Sequence, residues 1–397
     1  MIKSSRTAMF VALAGCTVLA ACGGGGGSTP PATQAGTVHF ALTDAPACGF
    51  NEVNVTVTKV RVNKSATAND SDAGWTDVVL NPAQKINLLS LTNGVLLDLG
   101  QMPLEAGHYT QTRLVLAPNT GANPFANSVI PTGGSEIALD TPSAVQSGIK
   151  LNHEFDVAPN TLADFTLDFD ACKSVVARGN GSYGLKPVIT VIPMVVSGAI
   201  KGVVTPVSAT AHPVVSAQLN GVVVKSTVPD ANGAFSLSPL QQTAAGAGYS
   251  VVVTADNYAT DAITNVPVTA QATTTISTAA APLALSTSTS YSVSGTVLPV
   301  AAQAALRSVQ SFGTTSASDV TVKYTSADLT NGTYAMMLPT AAPMLGSFGS
   351  GTLPIALSAQ TAVAGKYSVE ASAAGYATQK APVTITNANV MQSFTLN

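Results

Sequence analysis

Charged and aromatic side chains are scarce in this sequence. Charged residues make up 9% of the 397 residues and aromatic residues 5%, with a single tryptophan. The 17 basic and 20 acidic residues form no basic stripe that could neutralise phosphates, which argues against nucleic acid as a partner. Hydrophobic residues nevertheless reach 46%, so a core can form, and we expect about two to four domains in a chain of this length.

The motifs of several enzyme classes are also missing. His153-Glu154 begins like the zinc-protease motif H-E-x-x-H, but Val157 stands in the place of the second histidine. The sequence contains no G-x-S-x-G elbow, no P-loop and no G-x-G-x-x-G after a strand. Its four histidines are scattered, so nothing favours a Ser-His-Asp arrangement. We therefore predict that the protein is not an enzyme and needs no cofactor.

The first 21 residues are typical of a bacterial export signal. Lys3 and Arg6 form a positive segment, and residues 8 to 20 form an apolar stretch that is too short to span a membrane as a stable helix. Leu19-Ala20-Ala21-Cys22 resembles the lipobox of bacterial lipoproteins, in which cleavage before the cysteine leaves its sulfur to carry a diacylglycerol. The alternative is an ordinary secretory peptide with a chance cysteine at the cleavage site.

Five glycines follow Cys22, and residues 22 to 36 predict a flexible, lipid-anchored tether. A Gly/Ser-type coil of this length has an r.m.s. reach of about 20 Å, which would let a domain move freely beside a membrane. The lipoprotein resemblance implies several acyl chains such as palmitate, because one chain alone binds only marginally. An aspartate in the position of Gly23 would favour retention in the inner membrane. The resemblance with glycine at this position therefore implies the outer membrane, with the protein facing the periplasm or the cell surface.

Cys48 and Cys172 remain as an isolated pair in the exported chain. In an oxidising compartment a disulfide between them is the default expectation. A zinc site is the rival interpretation, but no further ligands accompany the two sulfurs. A disulfide closing this loop would stabilise the fold by up to about 5 kcal/mol in the chain-entropy model.

Strand signals predominate along the rest of the chain. Valines alternate with polar residues over 53 to 57, and the apolar phase then switches at residues 60 to 62, which predicts a β-bulge near residues 58 and 59. Only residues 83 to 91 look as helical as they look extended, and turn signals such as Asn93-Gly94 separate the runs. We predict an all-β fold.

The C-terminal half contains an internal repeat, which indicates two copies of one domain. Three segments of the first copy match three of the second: SGAIKGVV (197–204) with VSGTVLPV (293–300), ANGAFSLSPL (231–240) with TNGTYAMMLP (330–339), and GYSVVVTADNYAT (248–260) with KYSVEASAAGYAT (366–378). The spacing between the copies grows along these matches, so the second copy carries an insertion at residues 340 to 363.

Two positions in each copy predict a special backbone geometry. Asn232-Gly233 and Asn331-Gly332 predict tight hairpins, whose central residues both take positive φ. Asn257 in the first copy stands where the second copy has Gly375. Because these two residue types best tolerate the left-handed conformation, we expect a positive φ at this corner.

The repeated pattern G-x-V, N-G-x-[FY] and Y-x-V followed by [GN]-Y resembles the carboxypeptidase regulatory-like domain, over residues 198–282 and 290–397. The resemblance implies a transthyretin-like β-sandwich that acts as a spacer, a rigid support or, in a related fold, a sugar binder. The N-terminal region, 37–193, resembles a bacterial lipoprotein family known as domain of unknown function 4382, which implies no activity. Four segments carry that resemblance: ALTDAPA (41–47), VTVTKV (55–60), GHYTQTRLVL (107–116) and LDFDACKSVV (167–176).

One group of carboxylates suggests chemistry. In DFTLDFDACKS, strand alternation places Asp164, Asp168 and Asp170 on one face, opposite an apolar face. A Ca²⁺ site is one interpretation, with Asp44 brought near by the predicted disulfide, because this cation prefers several carboxylate oxygens. The interpretation that we favour is a solvated strand face over an apolar one.

We predict three tandem β-sandwich-type domains behind a signal peptide and a tether, forming a non-catalytic, membrane-anchored lipoprotein that serves envelope structure, adhesion or ligand binding. The alternative is a carbohydrate-binding surface lipoprotein, so the expected partners are the membrane and a glycan or an envelope protein. Sugar binding commonly uses exposed aromatic platforms, for which Trp75 and Tyr183 are the candidates. A groove that holds them beside Phe348 of the insertion would favour this alternative.

Overall fold

The computed structural model describes residues 35–44, 49–207, 210–313, 319–349, 353 and 355–397, which fall in one compact unit. Strands dominate these residues, so the predicted all-β class is confirmed. The predicted signal peptide, the predicted lipidation residue Cys22, the predicted tether up to residue 34 and Cys48 lie outside the described residues. The first strand begins at Ala35, so the last two residues that we assigned to the tether belong to this strand. No helix of the described part is long and apolar enough to cross a membrane.

Fourteen strands and two one-turn α-helices form the first domain. They are β1 (Ala35–Asp44), β2 (Phe50–Asn63), β3 (Thr76–Asn87), β4 (Leu97–Glu105), β5 (Gly107–Tyr109), β6 (Gln111–Leu116), β7 (Ser128–Pro131), β8 (Ile137–Asp140), α1 (Pro142–Gln146), β9 (Ile149–Leu151), β10 (Phe155–Val157), β11 (Leu162–Phe169), α2 (Ala171–Ser174), β12 (Val175–Ala177), β13 (Tyr183–Leu185) and β14 (Ile189–Pro193).

Two main sheets enclose the apolar core of the first domain. One has the order β14-β11-β1-β4, and the other has the order β12-β13-β8-β7-β2-β6-β9 with β3 also paired to β2. The register of β2 shifts between Val57 and Lys59 against both of its long neighbours, so the predicted bulge is confirmed. The ambiguous segment at 83–91 is the end of β3 followed by a 3-10 helix, Leu88–Leu91.

The second and third domains repeat one architecture. Their strands are β15 (Ser197–Thr205), β16 (Val214–Leu219), β17 (Val222–Thr227), β18 (Ala234–Gln241), β19 (Tyr249–Thr254), β20 (Asp261–Val266), β21 (Thr273–Thr275) and β22 (Leu283–Ala284), then β23 (Ser290–Leu298), β24 (Ala305–Ser311), β25 (Asp319–Ser326), β26 (Thr333–Pro339), β27 (Met344–Ser347), β28 (Ser358–Ala359), β29 (Lys366–Ser372), β30 (Gln379–Thr384), β31 (Val390–Met391) and β32 (Phe394–Thr395).

Each copy is a sandwich of two sheets. In the second domain β15 pairs with β18, β21 and β22, and the facing sheet has the order β17-β16-β19-β20. In the third domain β23 pairs with β26, β31 and β32, opposite the order β25-β24-β29-β30. Asn257 and Gly375 have φ of +65° and +82°, so the left-handed corner predicted from their exchange is confirmed.

The two Asn-Gly turns do not close tight hairpins, so that prediction was wrong. Gly233 and Gly332 have positive φ, but Asn232 and Asn331 do not. Each turn leads from a strand of one sheet to a strand of the opposite sheet, β17 to β18 and β25 to β26. A two-residue hairpin requires both flanking strands in the same ladder, and these turns cross the core instead.

The insertion of the third domain extends the sheet of the second. Strand β27 pairs in parallel with the edge strand β20, and β28 pairs with β27. The backbone N–H groups of Met344 and Phe348 donate to the carbonyls of Thr260 and Thr264, both at 2.8 Å. Phe348 also packs against the apolar core of the second domain. The insertion therefore covers an otherwise open sheet edge and joins the two repeats.

Candidate functional site at the junction of the three domains

A buried ion pair joins the first and second domains. Asp168 lies near the end of β11 and Lys225 lies on β17, with Lys225 Nζ 2.5 Å from Asp168 Oδ1. The side chain of Lys225 is 1% exposed and that of Asp168 is 6% exposed. Burial raises the pKa of Asp168, and the ammonium group of Lys225 opposes that rise. Each charge is therefore compensated chiefly by a residue of another domain.

Asp44, at the end of β1, lies close to this pair and is fully buried. Its Oδ1 accepts a hydrogen bond from the backbone N–H of Ala171 at 2.9 Å, and its Oδ2 has no partner among the described residues. Burial raises the pKa of Asp44 well above its ordinary value, and the nearby carboxylates of Asp170 and Asp168 raise it further. A neutral Asp44 beside the ion pair is the form that this environment favours.

Asp170 links the first domain to the third through Lys173. It caps α2 by accepting from the backbone N–H of Lys173 at 3.0 Å, and Lys173 Nζ lies 2.7 Å from its Oδ2. The same ammonium group lies 5.3 Å from the centre of the Tyr324 ring on β25. Burial, followed by the charge of Asp170, raises the pKa of the Tyr324 hydroxyl to about 12. Tyr324 is therefore neutral at physiological pH.

The aspartate face predicted from DFTLDFDACKS forms only in part, because Asp164 and Asp168 share a face of β11 but Asp170 does not. Strand β11 ends at Phe169, so Asp170 belongs to the helix cap, while Asp164 bonds to His39 at 2.6 Å and Asp168 to Lys225. The described part of the chain contains no group of three or more His, Cys, Asp or Glu side chains placed to hold a metal ion. The favoured solvated face was also wrong, because Thr166 and Asp168 are buried by the packing of other elements against β11.

Further polar contacts connect the domains. The side-chain amide of Gln218 in the second domain forms two hydrogen bonds with the backbone of Thr321 in the third, at 2.8 and 2.7 Å. Asn93, predicted only as a turn residue, donates its backbone N–H to Thr227 Oγ1 at 2.9 Å and accepts from the N–H of Ser236. These contacts fix all three domains around the ion pair.

An aromatic cleft of about 530 Å³ lies between the first and third domains. We define it by three aromatic residues and the polar residues on β25, on β26 and in the turn between them: Phe50, Tyr183, Tyr324, Thr325, Ser326, Asp328 and Thr333. A smaller cavity of about 110 Å³ shares Cys172 and Tyr324 with it and reaches the second domain. Tyr183, predicted as a ligand-binding residue, therefore lies in a cleft that the first and third domains build together.

The other two aromatic candidates lie elsewhere. Trp75 donates its indole N–H to the carbonyl of Asn69 at 2.7 Å, and the guanidinium groups of Arg61 and Arg113 lie 4.5 and 4.6 Å from its ring centre. Three strands separate β3, which follows Trp75, from β13, which carries Tyr183. Because Phe348 packs on the second domain's core, the groove of Trp75, Tyr183 and Phe348 that would have favoured the carbohydrate-binding alternative does not form.

Cys172 is half-buried on α2 and is not a free thiol. Its predicted partner, Cys48, lies outside the described residues. The Cys48–Cys172 disulfide stays a prediction.

The fold and the junction define an all-β protein of three joined sandwich-type domains. Residues 35–187 match the family model described as Domain of unknown function (DUF4382), so the resemblance stated for the N-terminal region is confirmed over these residues. The comparison with curated proteins found no match.

Several solved structures show partial similarity. A type II cohesin–X-dockerin complex from Acetivibrio cellulolyticus is 31% identical over 22% of this chain and 56% of its own, with a TM-score of 0.18. Two B repeat units of the collagen binding protein of Staphylococcus aureus are 12% identical over 91% of this chain and 99% of theirs, with a TM-score of 0.18. The major pilin of Corynebacterium diphtheriae is 11% identical over 91% and 99%, with a TM-score of 0.19.

This chain spans little more than half, 56%, of the length of the first of these structures. With TM-scores of 0.18 to 0.19, none of the similarities defines a shared architecture or function.

Proposed function

We propose that the protein is a non-catalytic lipoprotein of the cell envelope whose three β-domains act as one rigid body beside the outer membrane. The buried pair of Lys225 and Asp168 supports this proposal most directly. A hinge motion that parted the two side chains while either one stayed buried would cost several kcal/mol, because it would leave an uncompensated buried charge. Such a junction suits a module that holds a surface in a fixed position.

The proposed anchor is a diacylglycerol on Cys22, and the proposed tether sets the reach of the rigid body from the membrane. Its expected roles are envelope structure or adhesion, with an envelope protein or a glycan as partner. The Gly-rich tether would supply the mobility that the joined domains lack.

Replacing Cys22→Ser is expected to abolish the incorporation of radiolabelled palmitate and the processing of the export signal, because the lipid is carried by that sulfur. Cys16→Ser is the matched control, since Cys16 lies in the part removed by cleavage, and it should leave labelling and processing unchanged. Labelling is measured after expression in a Gram-negative host, followed by separation of inner and outer membranes. Undiminished labelling of Cys22→Ser, or labelling lost equally in Cys16→Ser, would contradict the lipoprotein proposal.

A further inference from the structure

We propose that the aromatic cleft between the first and third domains binds a neutral saccharide of one or two sugar units. Its volume of about 530 Å³ falls within the range of about 300 to 1,000 Å³ that small-molecule sites occupy. This site goes beyond the structural role proposed above and does not depend on the lipid anchor.

The aromatic rings of the cleft are held in place by their neighbours. Phe50 and Tyr183 of the first domain meet edge to face, with ring centres 5.4 Å apart and ring planes at 77°. Tyr324 of the third domain is held by the ammonium group of Lys173 at 5.3 Å from its ring centre. Rings that are already ordered lose little conformational freedom when a ligand stacks on them, which favours binding.

The polar residues of the cleft match the hydroxyl groups of a sugar. Thr325 and Ser326 contribute hydroxyls, which can both donate and accept hydrogen bonds. The hydroxyl of Thr333 already donates to Asn331 Oδ1 at 2.6 Å and can still accept. The Asp328 side chain is fixed because its Oδ1 accepts from the backbone N–H groups of Thr330 and Asn331 at 2.8 and 3.1 Å. A few fixed polar groups between aromatic surfaces are typical of a small-molecule site.

The charge of the cleft selects between kinds of sugar. Its described lining contains the carboxyl side chain of Asp328 and no lysine, arginine or histidine. A sulfated, phosphorylated or carboxylated sugar would find no cationic partner there and would face the carboxylate. The geometry therefore points to a neutral saccharide.

Binding is tested on an array of immobilised neutral and acidic oligosaccharides, and the dissociation constant of each positive glycan is then measured in solution. The protein should bind at least one neutral glycan, and Tyr183→Ala and Tyr324→Ala should each weaken that binding about tenfold or more, because each removes an aromatic surface. Tyr183→Phe keeps the ring and should retain most of the affinity. Phe125→Ala removes a partly exposed aromatic ring outside the cleft lining and should leave binding unchanged.

If the unfolding midpoints of all variants lie close to that of the parent, loss of fold is excluded as the cause of weaker binding. Binding to no neutral glycan would overturn the inference and would leave the lipoprotein proposal standing. Binding that survives both alanine substitutions, or that is restricted to acidic glycans, would also overturn it, because the saccharide site would then lie elsewhere or have a different charge.

Discussion

Replacing Lys225→Met is expected to lower the free energy of unfolding by about 3 to 5 kcal/mol, because it leaves the buried carboxyl of Asp168 without its cationic partner. Methionine keeps the length and most of the apolar volume of the lysine stem, so the effect reports on the charge rather than on a cavity. The loss should shrink at acidic pH, where Asp168 can take up a proton. Chemical unfolding followed by circular dichroism at several pH values measures it.

Two controls separate the buried pair from ordinary surface charge. The double variant Lys225→Met with Asp168→Asn removes both charges and should recover part of the lost stability, since no unpaired charge stays in the junction. Lys85→Met breaks an exposed pair, with Lys85 Nζ 3.1 Å from Glu136 Oε1 and the two side chains 43% and 32% exposed. It should cost less than about 1 kcal/mol. An equally small cost for Lys225→Met would show that the two domains do not depend on this pair.

Replacing Asp261→Asn is expected to stabilise the protein above neutral pH by an amount on the order of 4 kcal/mol, from a pKa that burial raises from 3.8 to about 7. Asp261 is 1% exposed at the start of β20, where it pairs with Val253 on one side and Met344 of the insertion on the other. Neither carboxylate oxygen has a hydrogen-bond partner among the described residues. Burial raises the pKa of Asp261 from 3.8 to about 7.

The pH dependence of this effect has a definite sign. Below pH 3.8 Asp261 is protonated in both states and the folded state loses nothing. Between that value and about pH 7 the unfolded chain releases the proton while the folded chain keeps it, so stability falls by about 1.4 kcal/mol per pH unit. The advantage of Asp261→Asn should therefore be absent near pH 3.5 and full near pH 8.

Unfolding midpoints measured from pH 3.5 to pH 8 test this dependence. Asp140→Asn is the control, because Asp140 is 50% exposed and paired with Arg178, so its loss should change stability little. The contrary outcomes are an Asp261→Asn variant that is less stable than the parent at pH 8, or an effect that does not change with pH. Either result would contradict the inference that the carboxylate of Asp261 is buried without a partner between Val253 and Met344.

Features that depend on neighbours in sequence could be predicted. The bulge at Val57 and Lys59 follows from a change of apolar phase within one strand. The left-handed corner at Asn257 and Gly375 follows from an exchange between the two residue types that tolerate it. Both signals depend only on residues near one another in the sequence, so they predict the structure without information on how the strands pair.

Features that depend on distant partners could not be predicted. Asp168 and Lys225 are 57 positions apart, and nothing in either segment indicates that β11 and β17 meet. The Asn-Gly turns carry the same local signal as a hairpin, but the positions of the two sheets decide that the chain crosses between them. The insertion was visible as a change in repeat spacing, whereas its pairing with β20 depends on how the two copies pack.

The most direct test of the rigid three-domain body is differential scanning calorimetry of the parent and of Lys225→Met. The proposal predicts a single transition for residues 35 to 397, with equal calorimetric and van't Hoff enthalpies, that moves as a whole to lower temperature in the variant. Two or three separate transitions, of which Lys225→Met moves one or none, would show domains that unfold independently and would contradict the account.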